Sequence, residues 1–106
     1  MNNEQVNIQS RDYWFKIVEF LQHNWALIDP LDGGGVCIYF IHDASGVFDR
    51  LHFKTRRDAE RALRRNGFEL FSKDSEAKKF IGPPRPPFFE DRHPNGLIYS
   101  SGKYWK

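Results

Sequence analysis

Apolar residues fall at Trp14, Ile17, Val18 and Leu21, the i, i+3, i+4, i+7 spacing of a helix packed on one side. Ser10 stands before this run as an N-cap and Asn24 follows it as a terminator, so the pattern predicts a helix over about residues 11–23. Tyr13, Phe15 and Phe20 widen its apolar surface, and Arg11, Asp12, Lys16, Glu19 and Gln22 fill the rest. The pattern then changes. Trp25 to Asp29 (WALID) reads as a short strand closed by Pro30, which cannot donate to a ladder. Asp32-Gly33-Gly34-Gly35 is a turn. Val36 to His42 (VCIYFIH) is β-branched and aromatic throughout, a strong strand. Asp43-Ala44-Ser45-Gly46 closes a hairpin, with Gly46 suited to a positive φ, and Val47 to Lys54 is the returning strand.

Thr55 with Asp58 three residues on makes a capping-box-like helix start. The helix over 55–65 turns Ala59, Ala62 and Leu63 inward and stops at Asn66-Gly67. Phe68 to Phe71 (FELF) reads as a short strand, and Ser72 or Ser75 starts a brief helix through Phe80. Gly82 to Pro87 holds four prolines in six residues and favours an extended polyproline path. That path is expected to drape across the domain, anchored by Phe88, Phe89, Tyr99, Tyr104 and Trp105, because so many exposed rings would form a sticky patch. After the turn His93-Pro94-Asn95-Gly96, Leu97 to Ser101 is available as an edge strand.

The expected architecture is therefore α+β: a helix, a three-stranded antiparallel meander, a second helix, then an irregular aromatic and Pro-rich C-terminal segment with an edge strand. Residues 1–9 are expected to be a flexible tail, and 10–106 one domain with 82–106 packed on it. A three-residue loop over 44–46 sets the register of the hairpin. It places Asp43 opposite Val47, His42 opposite Phe48, Phe40 opposite Arg50, and Ile38 opposite His52. Cys37, Tyr39, Ile41, Val47, Leu51 and Phe53 then share the core face. Ile38, Phe40, His42, Phe48, Arg50, His52 and Lys54 share the other, which mixes rings with cations.

Charge sharpens this second face. The chain carries a net +2, but its distribution is uneven. From Arg50 to Arg65 seven cations face two carboxylates, Asp58 and Glu60, a local excess of five; the remainder is net acidic by three. Phosphates are held by Arg and Lys, and bases stack on rings. Phe40, Phe48, Arg50, His52 and Lys54, with the helical stripe Arg57, Arg61, Arg64 and Arg65, are therefore the candidate nucleic-acid-binding residues.

Two resemblances bear on this region. Gly34-Gly35-Val36-Cys37-Ile38-Tyr39-Phe40, then Ser45-Gly46, then Phe53-Lys54-Thr55 and Ala59-Glu60-Arg61-Ala62-Leu63, resembles the methyl-CpG-binding domain over about residues 25–67. The resemblance implies a three-stranded sheet followed by one helix, with the sheet entering the major groove. The turn Asp29 to Gly35 is acidic where that family's DNA-reaching loop is basic. The helix–three strands–helix order also looks like the double-stranded-RNA-binding domain, whose basic second-helix start is matched here by Lys54, Arg56 and Arg57.

Other chemistry is sparse. Cys37 is the sole cysteine, so no internal disulfide forms and a reducing compartment is expected. The N-terminus is polar, and no apolar stretch approaches the roughly 20 residues of a membrane span, so a cytoplasmic protein without a membrane partner is expected. His23, His42, His52 and His93 match no zinc spacing, and no motif implies a metal or a cofactor. Cys37 and the serines lie in no nucleophile motif. The leading expectation is a small non-enzymatic binding module for a protein partner or a second copy, since its rings outnumber its unpaired charges. Nucleic-acid binding through helix 55–65 and the adjacent sheet face is the alternative. A small ribonuclease acting through Arg50, His52 and His93 is the third.

Overall fold

The computed structural model describes residues 4–19 and 22–92. Among these residues seven strands form one mixed sheet: Gln5–Val6 (β1), Trp14–Glu19 (β2), Gln22–Pro30 (β3), Val36–His42 (β4), Gly46–Phe53 (β5), Glu69–Leu70 (β6) and Phe88–Glu90 (β7). Their spatial order is β1-β7-β5-β4-β3-β2-β6. Helix Arg56–Arg65 (α1) covers one face; a 3-10 turn at Phe71–Lys73 and helix Ser75–Phe80 (α2) lie against the other.

This overturns the helix–meander–helix expectation. The first predicted helix is β2 and the start of β3, paired antiparallel with Trp14 opposite Ala26 and Phe15 opposite Trp25. The sheet is covered on both sides, and its strands carry apolar residues at consecutive positions. Tyr13 and Phe15 enter one core and Trp14 the other, so alternation vanishes and a helical spacing can be read from what remains. Ser10 caps no helix. Its N–H and that of Gln9 donate to the buried carboxylate of Asp29, at 2.8 and 2.6 Å, and pin the N-terminal segment to β3.

The hairpin of β4 and β5 forms at the expected place with a different register. Ile41 lies opposite Val47 and Phe40 opposite Asp49, leaving Phe48 as an extra residue, a β-bulge. Tyr39 is then opposite Arg50, and Cys37 opposite His52. A one-residue slip exchanges faces. Arg50 and His52 therefore join the side of Cys37, Tyr39 and Ile41, while Leu51 and Phe53 turn toward Ile38 and Phe40 beneath α1. The positive φ of the turn belongs to Ser45 (68°). Gly46 is required for another reason: a Cβ there would collide with the His42 imidazole and lie 2.7 Å from Cβ of Asp91.

Two cores result. Ile8, Tyr13, Phe15, Trp25, Leu27 and Ile41, with Val6, Val47 and Phe88, fill one. Trp14, Ala26, Ile28, Ile38, Phe40 and Phe68 pack under Ala59 and Leu63 of α1 in the other. The N-terminal segment from Glu4 is not a loose tail: β1 pairs with β7, and Val6 and Ile8 are buried. The proline segment drapes across the domain. Tyr13 Oη donates to the Pro84 carbonyl and Ser45 Oγ to that of Arg85, each at 2.6 Å, and Pro84 is itself buried. The Pro86–Pro87 bond is cis. The chain then enters the sheet as β7, parallel to β5. The edge strand expected at Leu97 to Ser101, the anchors Tyr99, Tyr104 and Trp105, and His93 lie outside the described residues. No helix among the described residues is long and apolar enough to cross a membrane.

Candidate functional site

The outward face of α1 follows from how the helix is fixed. Thr55 Oγ1 accepts from the Asp58 N–H at 3.1 Å, as an N-cap should. At the other end the Phe68 N–H donates to the Leu63 carbonyl (2.9 Å) and the Gly67 N–H to that of Arg64 (3.1 Å), with Gly67 at φ 91°. This is a Schellman stop, in which glycine relieves the left-handed backbone. Ala59 and Leu63 are fully buried against the sheet. At 3.6 residues per turn, Arg57, Arg61 and Arg65 must then point away from it, whereas Arg64 lies at the border of that face; all four are exposed.

Partners separate these cations from their neighbours. Arg56 is paired with Glu60 (3.1 Å) and lies 3.8 Å from Asp12. Among the described residues Arg57, Arg61 and Arg65 have no carboxylate partner. The Arg64 guanidinium rests 5.0 Å over the Trp14 ring. Beside it opens a cleft of about 620 Å3 between α1 and the β6–α2 segment, lined by Trp14, Arg64, Phe68, Leu70, Lys73 and Ser75, together with Glu69 and Asp74. Trp14 Nε1 is buried and has no acceptor among the described residues.

The remaining predicted residues do not join this surface. Phe40 is buried, packed against Phe68 and Phe48, and offers no ring face for stacking. Phe48 is half-buried in the same core. Arg50 lies on the opposite side of the sheet, bound to Glu90 and 5.4 Å over the Tyr39 ring. Its bond to Glu90 raises its pKa, so it stays a cation committed to one partner. His52 and Lys54 are exposed and line a separate shallow depression with Leu31, Gly34, Gly35 and Phe53. The expected single face of sheet and helix is thus divided, and only its helical part stays together.

Two histidine–aspartate pairs, missed in the sequence, flank the β4–β5 turn. Asp43 accepts from the backbone N–H of His23 (2.8 Å) and from Trp25 Nε1 (2.8 Å), and its Oδ1 lies 3.1 Å from His23 Nδ1. His42 Nδ1 accepts from the Ala44 N–H (3.0 Å), so its proton sits on Nε2 and is given to Asp91 at 2.9 Å. Both nitrogens of His42 are occupied in holding the turn, which leaves it no lone pair for base catalysis. Burial pushes the Cys37 thiol up and keeps it protonated, a poor nucleophile. Among the described residues no group of three or more His, Cys, Asp or Glu side chains is placed to hold a metal ion.

The Arg stripe was recoverable from sequence because Ala59 and Leu63 fix the inward face. The cleft was not, because Trp14 reaches it through the long-range pairing of β2 with β6, Trp14 opposite Leu70. Comparison with protein-family models, curated proteins and solved structures found no match.

Proposed function

We propose that this protein is a non-enzymatic nucleic-acid-binding module that grips the phosphate backbone with the outer face of α1. One observation carries this reading: Arg57, Arg61 and Arg65 stand exposed in an i, i+4, i+8 series without carboxylate partners among the described residues, with Arg64 at the border of the same face. Like charges four residues apart weaken a helix. A polyanion removes that repulsion, and successive arginines advance about 6 Å along the axis, enough to meet successive phosphates of a strand. The support for a protein partner has weakened, because Trp14, Phe15, Trp25, Phe40, Phe68 and Phe88 are buried. The large hydrophobics exposed among the described residues are Ile17 and Phe80.

The test is the salt dependence of affinity. A labelled oligonucleotide should bind at low salt, with the logarithm of the binding constant falling by about 0.7–0.9 per phosphate contact for each logarithmic unit of salt. Replacing Arg57, Arg61 and Arg65 together by Gln should reduce that slope by about 2–3. Absence of any binding at low salt refutes the reading. Self-association is the second reading, and one observation favours it. Among the described residues β2 is paired on its outer edge only at Trp14 and Phe15, by β6, so 16–19 present a free edge there, with Ile17 65% exposed. Concentration-dependent mass in light scattering, abolished by Ile17→Lys, would support it.

A further inference from the structure

The β2 strand and the residues just ahead of it flank α1 in step. Arg56 lies 3.8 Å from Asp12. Arg64 rests 5.0 Å over the ring of Trp14. Lys16, on the same face of the strand as Trp14, meets the end of the helix: a Cβ at Gly67 would lie 3.4 Å from its Cε and 3.7 Å from its Nζ. The carbonyls that close a helix favour a cation at that place. Lys16 is half-buried, and among the described residues no carboxylate pairs with it. Two carboxylates, Glu69 and Asp74, line the cleft beside Arg64, and Asp74 caps α2 by accepting the Ala77 N–H at 3.0 Å.

We propose that Lys16 continues the cationic row of α1 past the end of the helix, so that the ligand is an extended strand running from Arg57 over Arg61 and Arg64 onto β2. The proposal rests on the nucleic-acid reading above and adds to it a direction and a length. Arg57 and Gly67 are separated by about 15 Å along the helix axis, and the four cations over that distance meet about four phosphates in succession. A mononucleotide or a free phosphate reaches too few of them to be held. Arg64 is the joint of the row. It stands at the border of the outer face on the side of Trp14, and among the described residues no ion pair ties it down. Repulsion from Glu69 and Asp74 keeps phosphates out of the cleft and on the row. A strand that stayed on the helix as far as Arg65 would need nothing from β2.

The probe is a labelled oligodeoxythymidine, long enough to cover the row, bound at a series of salt concentrations. Lys16→Gln should lower the slope of the logarithm of the binding constant against the logarithm of salt by about 0.7, one phosphate contact on a single strand, and Lys16→Arg should keep the slope of the unmodified protein. A lysine that only steadies the end of α1 would lower the urea midpoint of Lys16→Gln and leave the slope alone. The unmodified protein supplies a second reading free of any folding defect. With the oligodeoxythymidine bound, acetylation of Lys16 should be suppressed, while that of Lys79, exposed on α2 against the other side of the sheet, continues. An unchanged slope in Lys16→Gln, an equal loss in Lys16→Arg, or undiminished acetylation of Lys16 overturns the extension onto β2 while the grip of α1 stands. Failure of the unmodified protein to bind at low salt overturns both.

Discussion

The indole N–H of Trp25 donates to Oδ1 of Asp43 at 2.8 Å, tying the floor of one core to the β4–β5 turn. Trp14, one strand away and equally buried, serves the other core and has no such acceptor among the described residues. The two therefore respond differently to the same substitution. Trp25→Phe loses a bond to a charged group, worth about 1.5–3 kcal/mol. Trp14→Phe loses none and removes a buried, unsatisfied donor that costs about 1–3 kcal/mol. Urea unfolding should find Trp25→Phe the more destabilising by at least about 1 kcal/mol. Equal losses would mean that Trp14 has an acceptor in solution.

Tyr13 holds the proline segment by its bond to the Pro84 carbonyl. Burial raises the Tyr13 pKa, so the hydroxyl keeps its proton and remains a donor. Tyr13→Phe should cost about 1 kcal/mol and leave that carbonyl short of a partner. Hydrogen exchange should quicken at Phe88 and Phe89, whose strand follows the segment. Unchanged exchange there would show that Tyr13 does not anchor it.

Gly46 should tolerate no side chain. The imidazole a Cβ would meet is fixed at both nitrogens, so it cannot swing aside cheaply. Gly46→Ala should cost about 2–3 kcal/mol as overpacking, read from its denaturation midpoint. A loss below about 0.5 kcal/mol, the level of an ordinary surface substitution, would contradict the packing around His42.

The pair of His42 and Asp91 gives a dependence on acid. The hydrogen bond from His42, followed by that from the Arg92 N–H, holds the Asp91 carboxyl below its ordinary value. A carboxyl lowered on folding contributes stability that is fully present above its unfolded pKa. That contribution is lost as pH falls through the lower folded pKa. The side chain is 40% exposed, so the contribution is small. Midpoints measured from neutral to acid pH should converge for the wild type and Asp91→Asn as the pH drops below the usual carboxylate range. Curves that stay parallel would remove the pair from the account.

Local signals were legible in the sequence and long-range ones were not. Thr55, the Ala59–Leu63 face and Gly67 specify α1 within a few residues of one another, and the arginine stripe follows from them. Val36 to His42 is a strand by composition alone. Trp14 to Val18 failed because a strand covered on both sides hides its period, and the cover comes from Ala77 and Ile81 on one side and Leu63 on the other, far along the chain. The hairpin register failed at Phe48. Nothing in Val47-Phe48-Asp49 announces a bulge, and that one residue moves Arg50 and His52 away from α1. The candidate surface was thus half legible: its helical cations are local, whereas the cleft depends on the pairing of β2 with β6.

The most direct measurement is a titration of the isotopically labelled protein with a short single-stranded oligonucleotide, followed by amide, arginine side-chain and indole N–H resonances. The shifts should concentrate on Arg57, Arg61, Arg64 and Arg65 and on the Trp14 indole, and leave Arg50 and His52 unmoved. Shifts confined to the Arg50 and His52 side of the sheet, or none at low salt, would contradict the assignment of α1 as the binding surface.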